Sequence, residues 1–210
     1  MSDVAARLRA RAAQEGLAVS DEITSRLVVY FELLQRWNQK INLTSLVDPD
    51  EAVTRLLLEP LAAARHLQNG SSLADLGSGG GSPAIPLALS MGSSQLLMVE
   101  SRSRKAAFLR EAARVVELNA TVEAQRFETV SKRPEYSGRF DIVSIRAVRT
   151  DAVSLAASAA LLRVGGVAAL FQNTGNTLPD APDLAWRATW PLLRSSDSQL
   201  VLLFHVEQQG

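Results

Sequence analysis

An α/β fold with a mostly parallel sheet is predicted here by three observations. From residue 72 onward, apolar runs of strand length alternate with helix-compatible segments, the pattern of a parallel sheet covered on both faces. The first run, Leu73-Ala74-Asp75-Leu76, breaks into Gly77-Ser78-Gly79-Gly80-Gly81-Ser82-Pro83, a glycine-rich turn ahead of a helical stretch over 85–91. The second run, Gln95-Leu96-Leu97-Met98-Val99, ends in Glu100, 25 residues after Asp75.

The chain ahead of the sheet reads as helical. Residues 3–15 form a short helix with Val4 and Leu8 turned inward and Arg7, Arg9 and Arg11 on a solvated face. Ser20 is an N-cap for a longer helix, where Ile23, Leu27, Tyr30, Phe31, Leu34, Trp37 and Ile41 recur as one apolar stripe. That stripe assigns Tyr30, Phe31 and Trp37 to the core rather than to base stacking. Asn42 and Thr44 then satisfy backbone groups where the helix ends. Asp48-Pro49-Asp50-Glu51 supplies a cap, a proline at the first helical position and an acid at capping-box spacing. The helix it opens runs to about residue 67, kinked at Pro60.

In the second part, strands are expected over 72–76, 95–100, 121–126, 139–145, 164–171, 184–190 and 199–206. Helices are expected over 84–91, 103–118 (with Asn119 at C′), 151–162 and 178–183. The last two strands are separated only by residues 193–197, too short for a parallel crossover, so they form an antiparallel hairpin. The chain therefore divides into a helical cap, 1–68, and an α/β domain, 69–210, within one compact unit. Ligands of such sheets bind at the carboxyl ends of the strands. Asp75, Glu100 and Arg126 fall there in this assignment.

Composition narrows the function. A hydrophobic content of 47% with 21% charged residues fits a globular protein. No cysteine is present, which excludes disulfides and thiolate metal sites and fits a reducing compartment. His66 and His205 have no partner ligand at metal spacing, so no metal site is expected. No signal-like or membrane-spanning run stands out, and the chain reads as a cytoplasmic monomer. Basic and acidic side chains balance at 22 each, so a global basic field that would hold nucleic acid is excluded, while a local patch is not.

The glycine turn can be tested against three ligands. A P-loop needs a lysine after its second glycine, and none lies between Lys40 and Lys105. A dinucleotide fingerprint needs a third small residue: Ser82 mismatches when counted from Gly77, and Ala84 is tolerated when counted from Gly79. Pro83 and Pro86 each remove an N–H that a pyrophosphate would use. A cofactor without phosphate, S-adenosylmethionine, loses less by this, and Asp75 suits its positive charge. Glu100 is placed to accept hydrogen bonds from ribose hydroxyls. NAD remains the alternative at this point.

Further motifs occur in a fixed order: Asn42-Leu43-Thr44; Leu76-Gly77-Ser78-Gly79-x-Gly81-x-Pro83-x-Ile85-Pro86; Val99-Glu100-Ser101 with Lys105, Phe108 and Leu109; Arg126-x-Glu128; and Phe140-Asp141 with Arg146-Ala147. With them the chain resembles the small-subunit ribosomal RNA guanine-N7 methyltransferases of the GidB (RsmG) type, from about residue 20 to 206. The resemblance implies a Rossmann-like class I methyltransferase with a seven-stranded sheet and an N-terminal helical cap. It also implies S-adenosylmethionine as donor and, as substrate, a guanine in the 530 loop of 16S rRNA, on naked RNA or the 30S subunit. By position, the loop of Gly77, Ser78, Gly79 and Gly81 with Pro83 would hold the methionine portion, alongside Asp75, and Glu100 and Ser101 the ribose. Backbone near Phe127 and Glu128 would frame the adenine, Arg126 would join the cofactor site, and Arg146 would stand beside the transferred methyl as the catalytic residue, holding the methionine carboxylate, an RNA phosphate or the guanine.

The chain departs from that family at several places. Leu56-Leu57-Leu58-Glu59-Pro60 stands where the family has His-x-x-Asp-Ser, Phe171-Gln172-Asn173 where a lysine-glycine ends the fifth strand, Ser198 where an arginine opens the last, and Ala84 where it has glycine. These departures touch groups expected to face RNA. They keep open a non-catalytic S-adenosylmethionine-binding module on the ribosome, or a methyltransferase with another substrate. Arg146 could also simply pair with Asp141 or a helix end, and Lys105 could meet RNA phosphate or lie on a helix exterior.

Overall fold

The computed structural model describes residues 3–206 except Ala147, together with all side chains in that span but that of Arg187. Ala147 of the Arg-Ala pair therefore lies outside the described residues. Four helical segments come first: α1 (Asp3–Gln14), α2 (Asp21–Asn38), α3 (Pro49–Val53) and α4 (Glu59–Ala64). Ser20 caps α2 as expected, its hydroxyl accepting from the Ile23 N–H, and Asp48 caps α3 by accepting from the Glu51 N–H. Leu27, Tyr30, Phe31 and Leu34 of the predicted stripe are buried, each worth about 1.5–3 kcal/mol of transfer free energy.

Arg7, Arg9 and Arg11 are not a bare solvated face. Arg7 pairs with Asp3 and Asp50, Arg11 with Asp50, and Arg9 with Asp21, so α1 is fastened to α3 and to the start of α2.

Pro60 acts differently from a simple kink. A π-helical turn, Thr54–Leu58, joins α3 to α4, and the Glu59 N–H bonds the Thr54 carbonyl rather than that of Arg55. Pro60 has no N–H to offer the Leu56 carbonyl. Two carbonyls, Arg55 and Leu56, are thereby released to groups outside the helix, as π turns at functional sites allow.

The sheet has seven strands in the order β3-β2-β1-β4-β5-β7-β6: β1 (Leu73–Leu76), β2 (Leu96–Val99), β3 (Ala120–Glu123), β4 (Phe140–Arg146), β5 (Leu162–Asn173), β6 (Leu184–Pro191) and β7 (Ser198–His205). β1 to β5 are parallel, and β7 runs antiparallel between β5 and β6. Between the strands lie α5 (Ala84–Met91), α6 (Ser103–Val115), the one-turn α7 (Phe127–Val130) and α8 (Ala152–Leu161). Asp151 caps α8 in a capping box with Ser154. One apolar cluster spans α1–α6 and one sheet face; a second packs α8 on the other. No helix among the described residues is long and apolar enough to cross a membrane.

Three expectations are corrected. Residues 178–183 form no helix, because Pro179 and Pro182 lack donors and Pro182 biases Ala181 away from helical backbone. Asn119 is not the residue that ends α6. Glu117 takes the left-handed conformation at φ 51°, the Leu118 N–H returns to the Ala113 carbonyl, and the Asn119 amide instead bonds Ser94. The third strand stops at Glu123, so Arg126 lies beyond it as the N-cap of α7.

Gly81 is required on two grounds. Its φ is +86°, and a Cβ there would lie 2.9 Å from Ile85 Cδ1 and 3.3 Å from Leu109 and Tyr30. Gly81→Ala is expected to lower the unfolding free energy by about 1–2 kcal/mol from the backbone alone. Urea denaturation checks this, and unchanged stability would contradict the packing described.

Candidate active site

The carboxyl ends of β1 and β2 open into a cleft of about 600 Å³, a size suited to a cofactor. Its floor is the glycine turn. The N–H groups of Gly77 and Ser78 both bond the Val99 carbonyl, and the Gly81 N–H bonds that of Ser78, so the turn is folded against the end of β2. Gly77 has φ +73°, and a Cβ there would collide with Val148 Cγ2. The Tyr30 hydroxyl donates to the Gly80 carbonyl at 2.6 Å, docking α2 on the turn. Burial pushes the Tyr30 phenol up, so it stays a neutral donor.

Glu100 lies at the tip of β2. Its Oε2 accepts from the Gly79 N–H at 2.9 Å and its Oε1 from the Arg102 N–H at 2.8 Å. Each oxygen keeps a lone pair for a further donor. Ser101, Arg126, Phe127 and Glu128 line the same cleft, as do Gly77, Ser78, Gly79, Lys105 and Arg146. Asp75, Gly81 and Pro83 do not line it.

Asp75 is buried behind the turn, where its Oδ1 accepts from the Ser144 hydroxyl at 2.5 Å. Burial is the main cause that pushes its carboxyl up to about 6; Ser144, Ser78 and Arg146 oppose the rise, and Glu100 adds to it.

The helical cap roofs the cleft with Leu43, Thr44, Ser45, Leu46, Arg55 and Leu56. The roof segment is held by Asn38, whose Oδ1 accepts from the N–H groups of Leu43 and Thr44. Thr44 accepts from the Leu46 N–H, as its expected structural role requires, whereas the work expected of Asn42 is done by Asn38. The Leu56 carbonyl released near Pro60 accepts from the Ser82 hydroxyl at 2.9 Å, tying the roof to the floor.

Arg146 ends β4 and pairs with Glu59, not with Asp141, which is taken by Arg163. Its Nη2 lies 2.6 Å from Glu59 Oε2, and its Nη1 donates to the released Arg55 carbonyl at 2.5 Å. Its guanidinium stands 5.7 Å above the Phe171 ring centre, within cation–π range. Burial lowers its pKa, Glu59 raises it, and Arg55 lowers it further. Glu59 is wholly buried, and its Oε1 has no hydrogen-bond partner among the described residues.

A second hollow, about 570 Å³, lies on the far side of Arg146 and shares Arg55, Arg146 and Val148 with the first. Phe171, Gln172 and Ser198 line it, and Arg55 Nη1 donates to the Ser198 hydroxyl at 3.1 Å. Sequence reasoning missed Asn38, Ser82 and the part Glu59 plays. Only the proline after an acid in an apolar helix hinted at the last. Among the described residues no group of His, Asp or Glu is arranged to hold a metal ion.

A parallel sheet reversed at its last hairpin, with a glycine turn and an acid at adjoining strand ends, is the class I methyltransferase fold. The crystal structure of a mutant of MtNAS in complex with S-adenosylmethionine superimposes with a TM-score of 0.59 at 12% identity, over 87% of this chain and 75% of that one. The putative methyltransferase yhhF from Escherichia coli gives 0.56 at 14%, over 67% and 80%. The model of the GidB family, rRNA small subunit methyltransferase G, matches residues 23–176. The chain is 42% identical over 167 residues to the ribosomal RNA small subunit methyltransferase G of Stenotrophomonas maltophilia (strain K279a), covering 79% of this chain and 76% of that relative. To the Neisseria meningitidis (strain MC58) protein of the same name it is 37% identical over 163 residues, 76% and 75%. The chain belongs to the rRNA small subunit methyltransferase G family.

The Asp75 carboxyl makes stability depend on pH. Its folded pKa lies above the ordinary value of about 3.9, so its neutral form's contribution is complete below about pH 4 and lost as pH rises through about 6. Asp75→Asn, which stays neutral, is expected to gain about 3 kcal/mol on wild type between pH 4 and 7. Denaturant titrations at both pH values test this, and a pH-independent difference would contradict it.

Proposed function

We propose that this chain transfers a methyl group from S-adenosylmethionine to N7 of a guanine in the 530 loop of 16S ribosomal RNA. The observation that carries the reading is the Glu100 carboxylate at the cleft wall. It is braced by two backbone N–H groups yet open to two ribose hydroxyls. The residues present fit this cofactor. The floor at Gly77–Gly80 is bare of side chains apart from Ser78 and admits a close approach by the methionine portion. Phe127 and Glu128 border the position of an adenine, and Arg126 and Ser101 flank it. Asp75, Gly81 and Pro83 do not line the cleft and serve the cofactor by supporting the turn from behind. When bound, S-adenosylmethionine supplies an electrophilic methyl on its sulfonium.

Guanine N7 is a lone pair with no proton to remove, so no general base is called for, and alignment does the work. The target base leaves its stack to reach the pocket and occupies the hollow beyond Arg146, against Phe171 and Gln172. Arg146 stands where the two hollows meet and is the proposed catalytic residue, orienting the base or the cofactor carboxylate. Gln172 and Ser198 offer uncharged hydrogen bonds on the base side of the site. The helical cap, 1–68, serves as roof to the domain 69–210, and the chain is proposed to act as a cytoplasmic monomer on rRNA or the 30S subunit.

The decisive assay incubates the chain and labelled donor with 30S subunits and with naked 16S rRNA lacking the modification. Label at N7 of a 530-loop guanine is expected; donor binding without transfer to any RNA would favour a non-catalytic module. Arg146→Ala is expected to lower transfer at least a hundredfold, and a wild-type rate would remove its role. Glu100→Ala is expected to weaken S-adenosylmethionine binding by about 1.5–3 kcal/mol, the range for hydrogen bonds to a charged group. Calorimetry reads it, and an unchanged affinity would contradict the ribose contact.

A further inference from the structure

A net charge of zero leaves room for a local patch of cations. Eight arginines, among them Arg7, Arg11, Arg133 and Arg163, are tied up in ion pairs. Arg36 and Lys40 near the end of α2 and Arg104 at the start of α6 are exposed, and among the described residues none of the three makes an ion pair. The three line one groove of about 560 Å³ between α2 and α6. Its walls are apolar, from Leu33, Trp37, Ile41 and Ala107. Its one acid, Glu111, accepts the Trp37 indole N–H at 3.1 Å. The next residues of α6 and its cap, Lys105 and Arg102, already line the cofactor cleft, so the cations continue from groove to site.

On the flank of the π turn the charges are paired with one another. A hollow of about 530 Å³ between the π turn and the ends of β5 and β7 holds Asp48, Asp50, Glu51, Glu59 and Asp197 with Arg11 and Arg55, while Arg7 and Arg146 pair from outside it with Asp50 and the buried Glu59. Both of those arginines are already engaged by Asp50 and Glu51. The arginines lining that hollow are engaged, whereas those of the α2–α6 groove are open to a phosphate strand.

We propose that the groove between α2 and α6 is a second RNA-contact surface, which holds backbone phosphates of the strand flanking the target base. The inference rests on the methyl-transfer reading above. Rows of cations beside apolar walls are how single strands are held without base readout. Such contacts release counterions, so each leaves its mark on the salt dependence of binding.

The test is equilibrium binding of the full chain to 16S rRNA and to 30S subunits over a salt series. The neutralising triple variant Arg36→Gln/Lys40→Gln/Arg104→Gln is expected to bind both at least tenfold more weakly. Its log–log salt slope is expected to fall by about 2, three single-strand contacts being lost. Its affinity for S-adenosylmethionine, read by calorimetry, is expected to stay at the wild-type value, which also certifies the fold. A control, Arg114→Gln/Lys132→Gln, removes exposed charge elsewhere and is expected to bind within twofold of wild type. Wild-type binding and slope in the triple variant would overturn the proposal, as would an equal loss in the control. Loss of subunit binding with naked rRNA bound normally would overturn it in favour of a ribosomal protein as the partner. The readout is binding, so a wild-type chain that binds subunits but transfers no methyl overturns the methyl-transfer reading alone. The groove is judged on the salt slope.

Discussion

The contact between Arg146 and the π turn is what the rest of the site depends on. Strand β4 delivers a guanidinium to the carboxyl end of the sheet, and the cap meets it with a buried carboxylate, Glu59, and a backbone carbonyl, Arg55. A buried charge left alone would be costly by several kcal/mol, and breaking such a pair is more damaging than never having had it. The pair therefore fixes the register of cap against sheet more than it adds stability. The π turn is what makes it geometrically available: an ordinary α-helical ladder would have consumed the Arg55 carbonyl, and a residue with an N–H at position 60 would have consumed that of Leu56. The same irregularity thus supplies two anchors, one to Arg146 and one to Ser82.

Roof and floor of the cofactor cleft are accordingly parts of one construction. Tyr30 reaches the turn at Gly80, Ser82 reaches the roof at Leu56, and Asn38 stiffens the strand of chain between them. Each bond joins residues far apart in sequence or closes a loop that would otherwise be loose. The glycine turn itself is determined from below by the Val99 carbonyl and from above by Val148, leaving no room for side chains at Gly77.

That division explains what could be read from the amino acids. The strands, the glycine turn and the acid at the tip of β2 were legible because each is written locally, in a run of apolar residues and its punctuation. Ser20 and Asp48 as caps were legible for the same reason. The expected placement of Ser101, Phe127 and Glu128 around the cleft came from the family resemblance rather than from strand order. Glu59 was not legible: its partner is 87 residues away, and an acid in the run Leu56–Pro60 looks like an interruption until the fold brings Arg146 to it. Asn38 was overlooked because its work lies five and six residues downstream, outside any helix-cap pattern. The false helix at 178–183 came from weighting apolar residues over the two prolines that exclude it. Glu117 in a left-handed conformation was missed because glycine or asparagine is the usual occupant, and Asn119 stood close by.

A chain with no net charge attracts a polyanion only through local patches of cations. At distances beyond about 8 Å in physiological salt its field fades, so it gains little from drifting along unrelated polyanions. On the proposed contact, attraction sets in only when the α2–α6 groove faces a phosphate strand. Orientation is settled before contact, which suits a catalyst that must present one narrow crevice to one base on a very large particle.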